Sequence, residues 1–316
     1  MADARSLILH HYDDSPFSEK IRLALALKNL KWSSVEIPVI MPRPDLMPLT
    51  GGYRRTPVMQ IGADIYCDTA LILRELDARY PIQPLALPGH EGLSSMVGSW
   101  VDTRWFPASV AVIFGAIGDL IPKEFKDDRE KLSGSPFDTE AMKAAAPLVR
   151  DQWRSQLMWI EERLRGGRAA GTGDWLISTK PGVVDVHAHM NVWFVKRNLP
   201  DFVNECFDRA PLTRDWFNRL EEFEPREPEK LSSAEALEIG KTSAPRLIAA
   251  TATYEPQGLA PGERVAVAPD DYGKDWVEGE LVHADSQRII LQRRTDEAET
   301  IHVHFPRAGY LARRVP

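Results

Sequence analysis

Residues 10–25, HHYDDSPFSEKIRLAL, place the hydroxyl of Ser15 directly before Pro16 and a helical pattern. Serine at the N-cap and proline at the first helical position are typical of a helix start. A capping oxygen accepts a hydrogen bond from a backbone N–H, so its own proton stays available for a reacting group. Ser15 is therefore either a cap alone or a cap and a catalytic hydroxyl. Ser18, inside the first turn, is the second candidate.

Two further polar segments could bind a ligand. Pro57 opens the strand-like segment 56–61, where a proline removes a ladder donor and would be costly in a central strand. It is an ordinary edge-strand proline unless it has a role outside the sheet. Asp68 and Thr69 enter a helix and are both preferred as caps. Because backbone N–H groups at a helix N-terminus favour an anion, these residues are able both to cap and to bind.

The first eighty residues alternate between short β-type runs and helical periods, which is typical of an α/β unit. We expect the order strand, helix, strand, Pro-rich loop, strand, strand, helix. In chain order the predicted segments are 6–12, 16–29, 31–39, 56–61, 64–67 and 68–79.

Prolines and a glycine within 81–89 mark a domain boundary, and the pattern beyond it is helical. Pro107 should kink or split the first long helix. Ser232 and Glu235 have the capping-box spacing and predict one more short helix after a charged linker at 223–231. The other predicted helices cover 91–121, 137–165, 182–196 and 211–222.

From about residue 246 short β-type segments recur with turn-like sequences between them. This spacing is typical of a small antiparallel barrel or sandwich. We therefore expect three domains, which cover residues 1–84, 88–245 and 246–316.

The segment SLILHHYDDSPFSEKIRLALALKNLKWSSVEI, followed by RRTPVMQIGADIYCDTALILRELDARYP, resembles the N-terminal domain of the cytosolic glutathione transferases. The helical region after it is similar to their all-α domain. The resemblance covers residues 6–222, and the later β-type segments lie outside the usual pattern. It implies an α/β thioredoxin-like domain followed by an all-α domain, with an additional small all-β domain, an SH3-like barrel or sandwich, at the C-terminal end.

The resemblance also implies roles for single residues. Ser15 occupies the position of the serine that donates to the glutathione sulfur in serine-type members. Thr56 and Pro57 match the pair that contacts the cysteinyl part of glutathione, with the proline in cis. Thr69 would hold the γ-glutamyl carboxylate, and Asp68 would take the ammonium group.

Arg55, and less specifically Arg54, would reach the glycyl carboxylate of glutathione, although either could simply be solvated in its loop. A pocket for a second, apolar substrate would be lined largely by aromatic side chains, which are more often plain core. The residues predicted to line it are Tyr12, Phe17, Trp100, Arg104 and Trp105.

Two departures from the family pattern stand out. Asp13 and Asp14 precede Ser15, and carboxylates near a thiolate raise the pKa of the thiol, which opposes its activation. If these two carboxylates point to solvent, screening leaves them little effect on the pKa of the thiol. The family's buried Ser/Thr-x-x-Asp cap is replaced by Gly182 and Asp185, so the acid remains without the cap hydroxyl. Glycine is a tolerable cap, and this change concerns folding more than chemistry.

Composition excludes several classes of function. The chain has 316 residues, a net charge of −7 and only two cysteines. This charge argues against a nucleic-acid partner, and two cysteines outside a CxxC motif argue against dithiol chemistry. No apolar run is long enough for a membrane span and no secretory signal is recognised, so we expect a cytoplasmic protein.

We also expect no metal. His187 and His189 lie two apart on a predicted helix and point in different directions. His302 and His304 lie two apart on a predicted strand and share a face, and His283 lies on another of the predicted strands. Without a cysteine or a suitable set of acids beside them, polar alternation explains these histidines better.

The sequence thus predicts an enzyme that binds glutathione as co-substrate and activates its thiol for attack on an apolar electrophilic small molecule. Family members are usually dimers, so we expect a homodimer. The alternative is a non-catalytic binding or adaptor protein that acts through the C-terminal β module. Serine rather than cysteine at position 15 argues against disulfide reduction, which needs a protein thiol.

Overall fold

The computed structural model describes residues 6–171, 173–253, 255 and 257–315. The N-terminal part forms the predicted α/β unit. Its β1 pairs with β2 in parallel and with β3 in antiparallel orientation, and β3 and β4 form a hairpin. The elements are β1 (Ile8–His11), α1 (Pro16–Leu27), β2 (Ser33–Glu36), α2 (Leu46–Thr50), β3 (Val58–Ile61), β4 (Asp64–Cys67) and α3 (Thr69–Arg79).

A helical region follows, as the sequence predicts. The expected irregularity near Pro107 is a π-helical turn over Val101–Trp105, which separates α4 from α5. Two of the helices, α6 and α9, were not predicted from the sequence. The helices are α4 (Glu91–Trp100), α5 (Phe106–Ile117), α6 (Lys123–Ser133), α7 (Thr139–Ala169), α8 (Val183–Asn198), α9 (Pro200–Arg209) and α10 (Pro211–Glu221).

In the rest of the chain, the described residues form one helix and seven strands. The predicted capping box is present, since Oγ of Ser232 accepts from the N–H of Glu235 and the Glu235 carboxylate accepts from the N–H of Ser232. These elements are β5 (Glu229–Lys230), α11 (Ser233–Thr242), β6 (Thr251–Ala252), β7 (Arg264–Pro269), β8 (Val277–Ala284), β9 (Arg288–Thr295), β10 (Glu299–Pro306) and β11 (Tyr310–Arg314).

The C-terminal strands are an added β module that continues the N-terminal sheet. The strands β7 to β10 pair in sequence, and β11 returns to pair with β7. The module joins the sheet where β10 runs parallel to β4. The order across the sheet is β11-β7-β8-β9-β10-β4-β3-β1-β2-β5, with β6 on β8. The sequence predicted the strands of this module but not their junction with β4.

Two hydrophobic cores support this arrangement. One lies between α1, α3 and the helical region and includes Ile21, Ile72 and Trp153. The other connects the N-terminal sheet to the β module and includes Val58 and Phe305. The β module therefore shares its core with the N-terminal domain. No helix in the described part of the chain is long and apolar enough to cross a membrane.

Candidate functional site

Ser15 caps α1, as the sequence predicts. Its Oγ accepts a hydrogen bond from the N–H of Ser18 at 3.1 Å. A serine hydroxyl that accepts in this way still has its proton to donate. Ser15 is only 2% exposed, so a reacting group would have to come against it inside the protein. Oγ of Ser18 is buried and has no partner among the described residues.

The two acids before Ser15 are exposed, unlike the serine itself. The carboxylate of Asp14 lies 2.6 Å from the guanidinium of Arg197, in the last turn of α8. Solvent screens exposed charges, and Arg197 offsets that of Asp14. Neither Asp13 nor Asp14 is therefore placed to raise strongly the pKa of a thiol bound at Ser15.

The loop before β3 is organised by a residue that sequence reasoning missed. The peptide bond between Thr56 and Pro57 is cis, the isomer that the family resemblance implies. The buried guanidinium of Arg43 donates to Oγ1 of Thr56 at 3.0 Å and to the carbonyl of Arg54 at 2.9 Å. Burial lowers the pKa of Arg43 to about 10. Arg43 therefore fixes Thr56, and its place in a Pro-rich loop was the only signal in the sequence.

Asp68 holds the N-terminus of α3 and also contacts the β module. Its backbone has a φ of 77°, and its Oδ1 accepts from the N–H of Ala70 at 2.8 Å. Its Oδ2 accepts from the hydroxyl of Tyr310 at 3.1 Å. The hydroxyls of Tyr310 and Tyr53 are also 3.1 Å apart, and both residues are buried. The β module thus contacts Asp68, one of the residues predicted to bind glutathione.

A buried cation lies beside Thr69. Lys20 is fully buried on α1, and its Nζ lies 3.5 Å from Oγ1 of Thr69. It also forms an ion pair with Asp102, in the π-helical turn, at 2.6 Å. Burial raises the pKa of the Asp102 carboxyl, although Lys20 acts in the opposite direction. Sequence reasoning missed Lys20, whose signal is a lysine on the otherwise apolar face of α1.

Arg55 is held by the loop of residues 271–273, between β7 and β8. Its guanidinium donates to the carboxylate of Asp271 and to the carbonyl of Tyr272. It also lies over the ring of Tyr272, 3.9 Å from the centroid. Arg54 pairs instead with Asp128 on α6 at 2.8 Å. The arginine predicted to bind the glycyl carboxylate therefore already has an anionic neighbour.

Phe17 lies two residues after Ser15 and joins an aromatic cluster between the domains. Its ring meets that of Phe106 edge-on at 4.7 Å, and Phe106 stacks on Phe194 at 6.1 Å. Phe17 is half-buried, as is Phe106. Of these rings, that of Phe17 belongs to the first turn of α1.

The other aromatic candidates lie elsewhere. Trp100 and Arg104 line a cavity of about 600 Å³ between α5 and α7, together with Trp159. Trp105 is fully buried and packs on Trp100 at 5.4 Å. Tyr12 packs against the second core. The structure thus brings Trp100 and Arg104 together, but it does not bring all five predicted residues to one cavity.

Comparison with known proteins places the chain in a family. A family model described as the N-terminal domain of glutathione S-transferase matches residues 9–85. Among solved structures, a GST-like protein from Pseudomonas syringae is 34% identical, with a TM-score of 0.80. That alignment covers 98% of this chain and 100% of the other, so it includes the β module.

More distant structures share only the two-domain fold. A glutathione S-transferase from Rhodospirillum rubrum F11 is 17% identical over 68% of this chain and 87% of its own, with a TM-score of 0.52. Rice GST1, solved in complex with glutathione, is 18% identical over 71% of this chain and 92% of its own, with a TM-score of 0.51. No curated protein matches the chain. Because the identity to the Pseudomonas syringae protein extends over nearly the whole length, the protein belongs to the glutathione S-transferase family.

Proposed function

We propose that this protein binds glutathione and that Ser15 activates its thiol for attack on an apolar electrophile. The observation that carries the proposal is the capping geometry of Ser15 at the start of α1. Its Oγ accepts from the N–H of Ser18, so its proton is free to donate to a thiolate. The backbone N–H groups of the first turn add a partial positive charge that favours an anion at the same place.

The strength of such a contact is sufficient. Lowering the pKa of a thiol by two units requires about 2.7 kcal/mol of preferential stabilisation of the thiolate. One hydrogen bond to a charged group contributes roughly 1.5–3 kcal/mol. A single serine hydroxyl therefore accounts for the required activation.

The protein's own thiols support a serine mechanism. Cys67 and Cys206 are both buried. Burial raises the pKa of both thiols, which disfavours their nucleophilic thiolate forms. The reactive sulfur would accordingly belong to the bound tripeptide.

The γ-glutamyl end of glutathione would bind at the N-terminus of α3. Its carboxylate would lie against the backbone and hydroxyl of Thr69, where the ammonium group of Lys20 supplies positive charge. Its ammonium group would lie against Asp68. The backbone of Thr56 would pair with the cysteinyl residue, and Arg55 would reach the glycyl carboxylate. Rice GST1, which shares the fold, was solved in complex with glutathione.

The electrophile would bind against the cluster formed by Phe17, Phe106 and Phe194, in which Phe17 lies two residues after Ser15. The cavity lined by Trp100 and Arg104 is the second candidate. Phe106→Ala should raise the KM for the electrophile if the first assignment holds, whereas Trp159→Ala should raise it if the second holds. The KM for glutathione should remain unchanged in both variants.

We further propose that the protein acts in the cytoplasm as a homodimer, with neither nucleic acid nor membrane as a partner. Members of the glutathione S-transferase family are usually dimers, which supports self-association. Sedimentation velocity should give twice the mass of the chain. A monomer at every concentration would contradict this proposal.

The test of the proposed function is a titration of glutathione that follows thiolate absorbance against pH. Wild type should lower the pKa of the bound thiol, and Ser15→Ala should return it to its value in free glutathione while binding persists. Ser18→Ala is the matched control and should resemble wild type. The opposite result would assign the activation to Ser18.

Two results would contradict the enzyme. Absence of glutathione binding would remove every role proposed for the site. Binding with an unshifted thiol pKa would indicate the alternative, a binding or adaptor protein that acts through the β module.

A further inference from the structure

Three potential metal ligands meet where the β module joins the N-terminal sheet. The strands β4 and β10 run parallel there, with His302 opposite Asp64 and His304 opposite Tyr66. Residues two apart on a strand point to the same face, so both histidines lie on the side of Asp64. Asp64, His302 and His304, here called the β4–β10 cluster, are 4%, 6% and 1% exposed.

The ligand atoms of the β4–β10 cluster are close enough to share one ion. Nε2 of His304 lies 2.8 Å and Nδ1 of His302 lies 3.8 Å from Oδ1 of Asp64. All three atoms lie within 4.8 Å of one another. Around a tetrahedral zinc ion, with bonds of about 2.1 Å, ligand atoms are separated by about 3.4 Å. The two distances to the carboxylate lie on either side of this value, so small side-chain shifts would bring the atoms to a common ion.

Hydrogen bonding alone leaves this cluster incomplete. His304 and Asp64 are within hydrogen-bond distance, and the second oxygen of Asp64 accepts from the N–H of Arg246 at 2.8 Å. Nδ1 of His302, however, is buried without a partner among the described residues, and 3.8 Å is too long for a hydrogen bond. A buried polar atom without a partner is costly. A cation between His302 and Asp64 would give Nδ1 of His302 the partner that it lacks.

The surroundings leave room for a solvent ligand. Both imidazole rings are almost fully buried. His304 also borders a cavity of about 200 Å³, together with Tyr66, Arg246 and Arg288. This cavity has room for water beside the imidazole ring.

We propose that Asp64, His302 and His304 bind one divalent transition-metal ion through Oδ1, Nδ1 and Nε2, with solvent as the remaining ligand. Two imidazoles and one carboxylate suit zinc, and the same set with open positions suits ferrous iron. The ion would cross-link β10 of the β module to β4 of the N-terminal sheet. This site is independent of Ser15 and of the proposed glutathione chemistry. It replaces the sequence-based expectation of no metal, because Asp64 is the acid that the sequence pattern did not connect with the histidines.

The test uses the full-length protein after treatment with EDTA and dialysis. Zn²⁺ is titrated calorimetrically, and Co²⁺ is titrated while visible absorption is recorded. Wild type should take up one equivalent of either ion, and Co²⁺ should give ligand-field bands typical of a low-symmetry site. His302→Gln should bind Zn²⁺ roughly tenfold to 100-fold more weakly than wild type. Loss of a residue that only hydrogen-bonds to a metal ligand already weakens metal binding by about this factor.

His283 provides a matched control. Its Nε2 lies 3.0 Å from Asp285, so it is also a histidine paired with an acid, but the structure places no third ligand beside this pair among the described residues. His283→Gln should bind the metal like wild type. Zn²⁺ should also raise the melting temperatures of wild type and His283→Gln, but not that of His302→Gln.

Two outcomes would overturn the proposal. One is a correctly folded wild-type protein that binds neither ion, and the other is unchanged affinity in His302→Gln. Because His302 has no hydrogen bond through Nδ1, replacing it should leave the apo fold intact, and circular dichroism of the apo variants checks this. Asp64→Asn, which removes the carboxylate shared by both histidines, should lose binding as well.

Discussion

The hydroxyl of Tyr310, on the last strand of the β module, donates to the carboxylate of Asp68 at the start of α3, at 3.1 Å. The two residues are 242 positions apart in the chain. Asp68 is the proposed partner of the ammonium group of glutathione, so the β module contacts a proposed binding residue.

Removing this hydroxyl should weaken glutathione binding without unfolding the protein. In Tyr310→Phe the carboxylate of Asp68 loses one donor, which corresponds to about 1 kcal/mol, or roughly a fivefold increase in Kd. Calorimetric titration of glutathione measures the change. Tyr80→Phe, at the end of α3, is the control and should bind normally. Equal affinities in wild type and Tyr310→Phe would show that Asp68 does not need this contact.

The carboxylate of Asp271 competes with any anionic ligand for Arg55. In Asp271→Asn the guanidinium of Arg55 should be free to meet the glycyl carboxylate, so glutathione should bind roughly threefold to tenfold more tightly. Asp275→Asn makes the same charge change at another exposed residue between β7 and β8 and should have little effect. Weaker binding in Asp271→Asn would mean that Asp271 holds Arg55 in its productive position.

The local features of the site could be predicted from the sequence. The helix start at Ser15 and Pro16 and the caps at Asp68 and Ser232 depend on a few neighbouring residues, and the structure contains all of them. The alternation of strands and helices in the N-terminal domain also follows from short-range periodicity.

The rest depends on contacts between distant segments. Lys20 and Asp102 are 82 positions apart, and no local pattern in either segment indicates that the two side chains form an ion pair. Likewise, hydrophobic alternation within β10 does not specify that this strand pairs with β4 at the edge of the N-terminal sheet. That pairing brings His302 to Asp64, which explains why the sequence pattern left the histidines without an acid.

The ion pair between Lys20 and Asp102 should matter for stability. Lys20→Met leaves the Asp102 carboxylate without its partner, which should lower the free energy of unfolding by about 3 kcal/mol. Urea unfolding measures the loss. The double variant Lys20→Met/Asp102→Leu should recover most of it, because two apolar side chains need no charge compensation. Lys123→Met, in an exposed ion pair with Asp127, should unfold like wild type.

Stability should fall at acid pH because of His10. Burial lowers the pKa of His10 from 6.5 to about 4, so the folded protein keeps this ring neutral. Since the unfolded chain binds the proton first, the stability contribution is complete above pH 6.5 and is lost as the pH falls towards 4. His10→Gln should remove about 2 kcal/mol of the difference in unfolding free energy between pH 7 and pH 5. Exposed His90→Gln should leave that difference unchanged.

The replacement of the family's cap hydroxyl by Gly182 has a steric reason. The carboxylate of Asp185 accepts from the N–H of Gly182 at 2.9 Å and from the indole of Trp216 at 2.8 Å, so the cap works without a side chain at position 182. A Cβ at Gly182 would lie 2.7 Å from the carbonyl oxygen of Leu85. Two backbone segments would have to separate to admit it.

Gly182→Ala should therefore destabilise the protein by roughly 1–3 kcal/mol, the usual cost of overpacking. Thermal unfolding measures this change. Gly92→Ala is the control, since a Cβ there meets nothing within 4 Å inside the exposed helix α4. It should stabilise the protein by up to about 1 kcal/mol, because alanine favours the helix over glycine. If Gly182→Ala also raised the melting temperature, the close approach to Leu85 would not be what excludes a side chain from this cap.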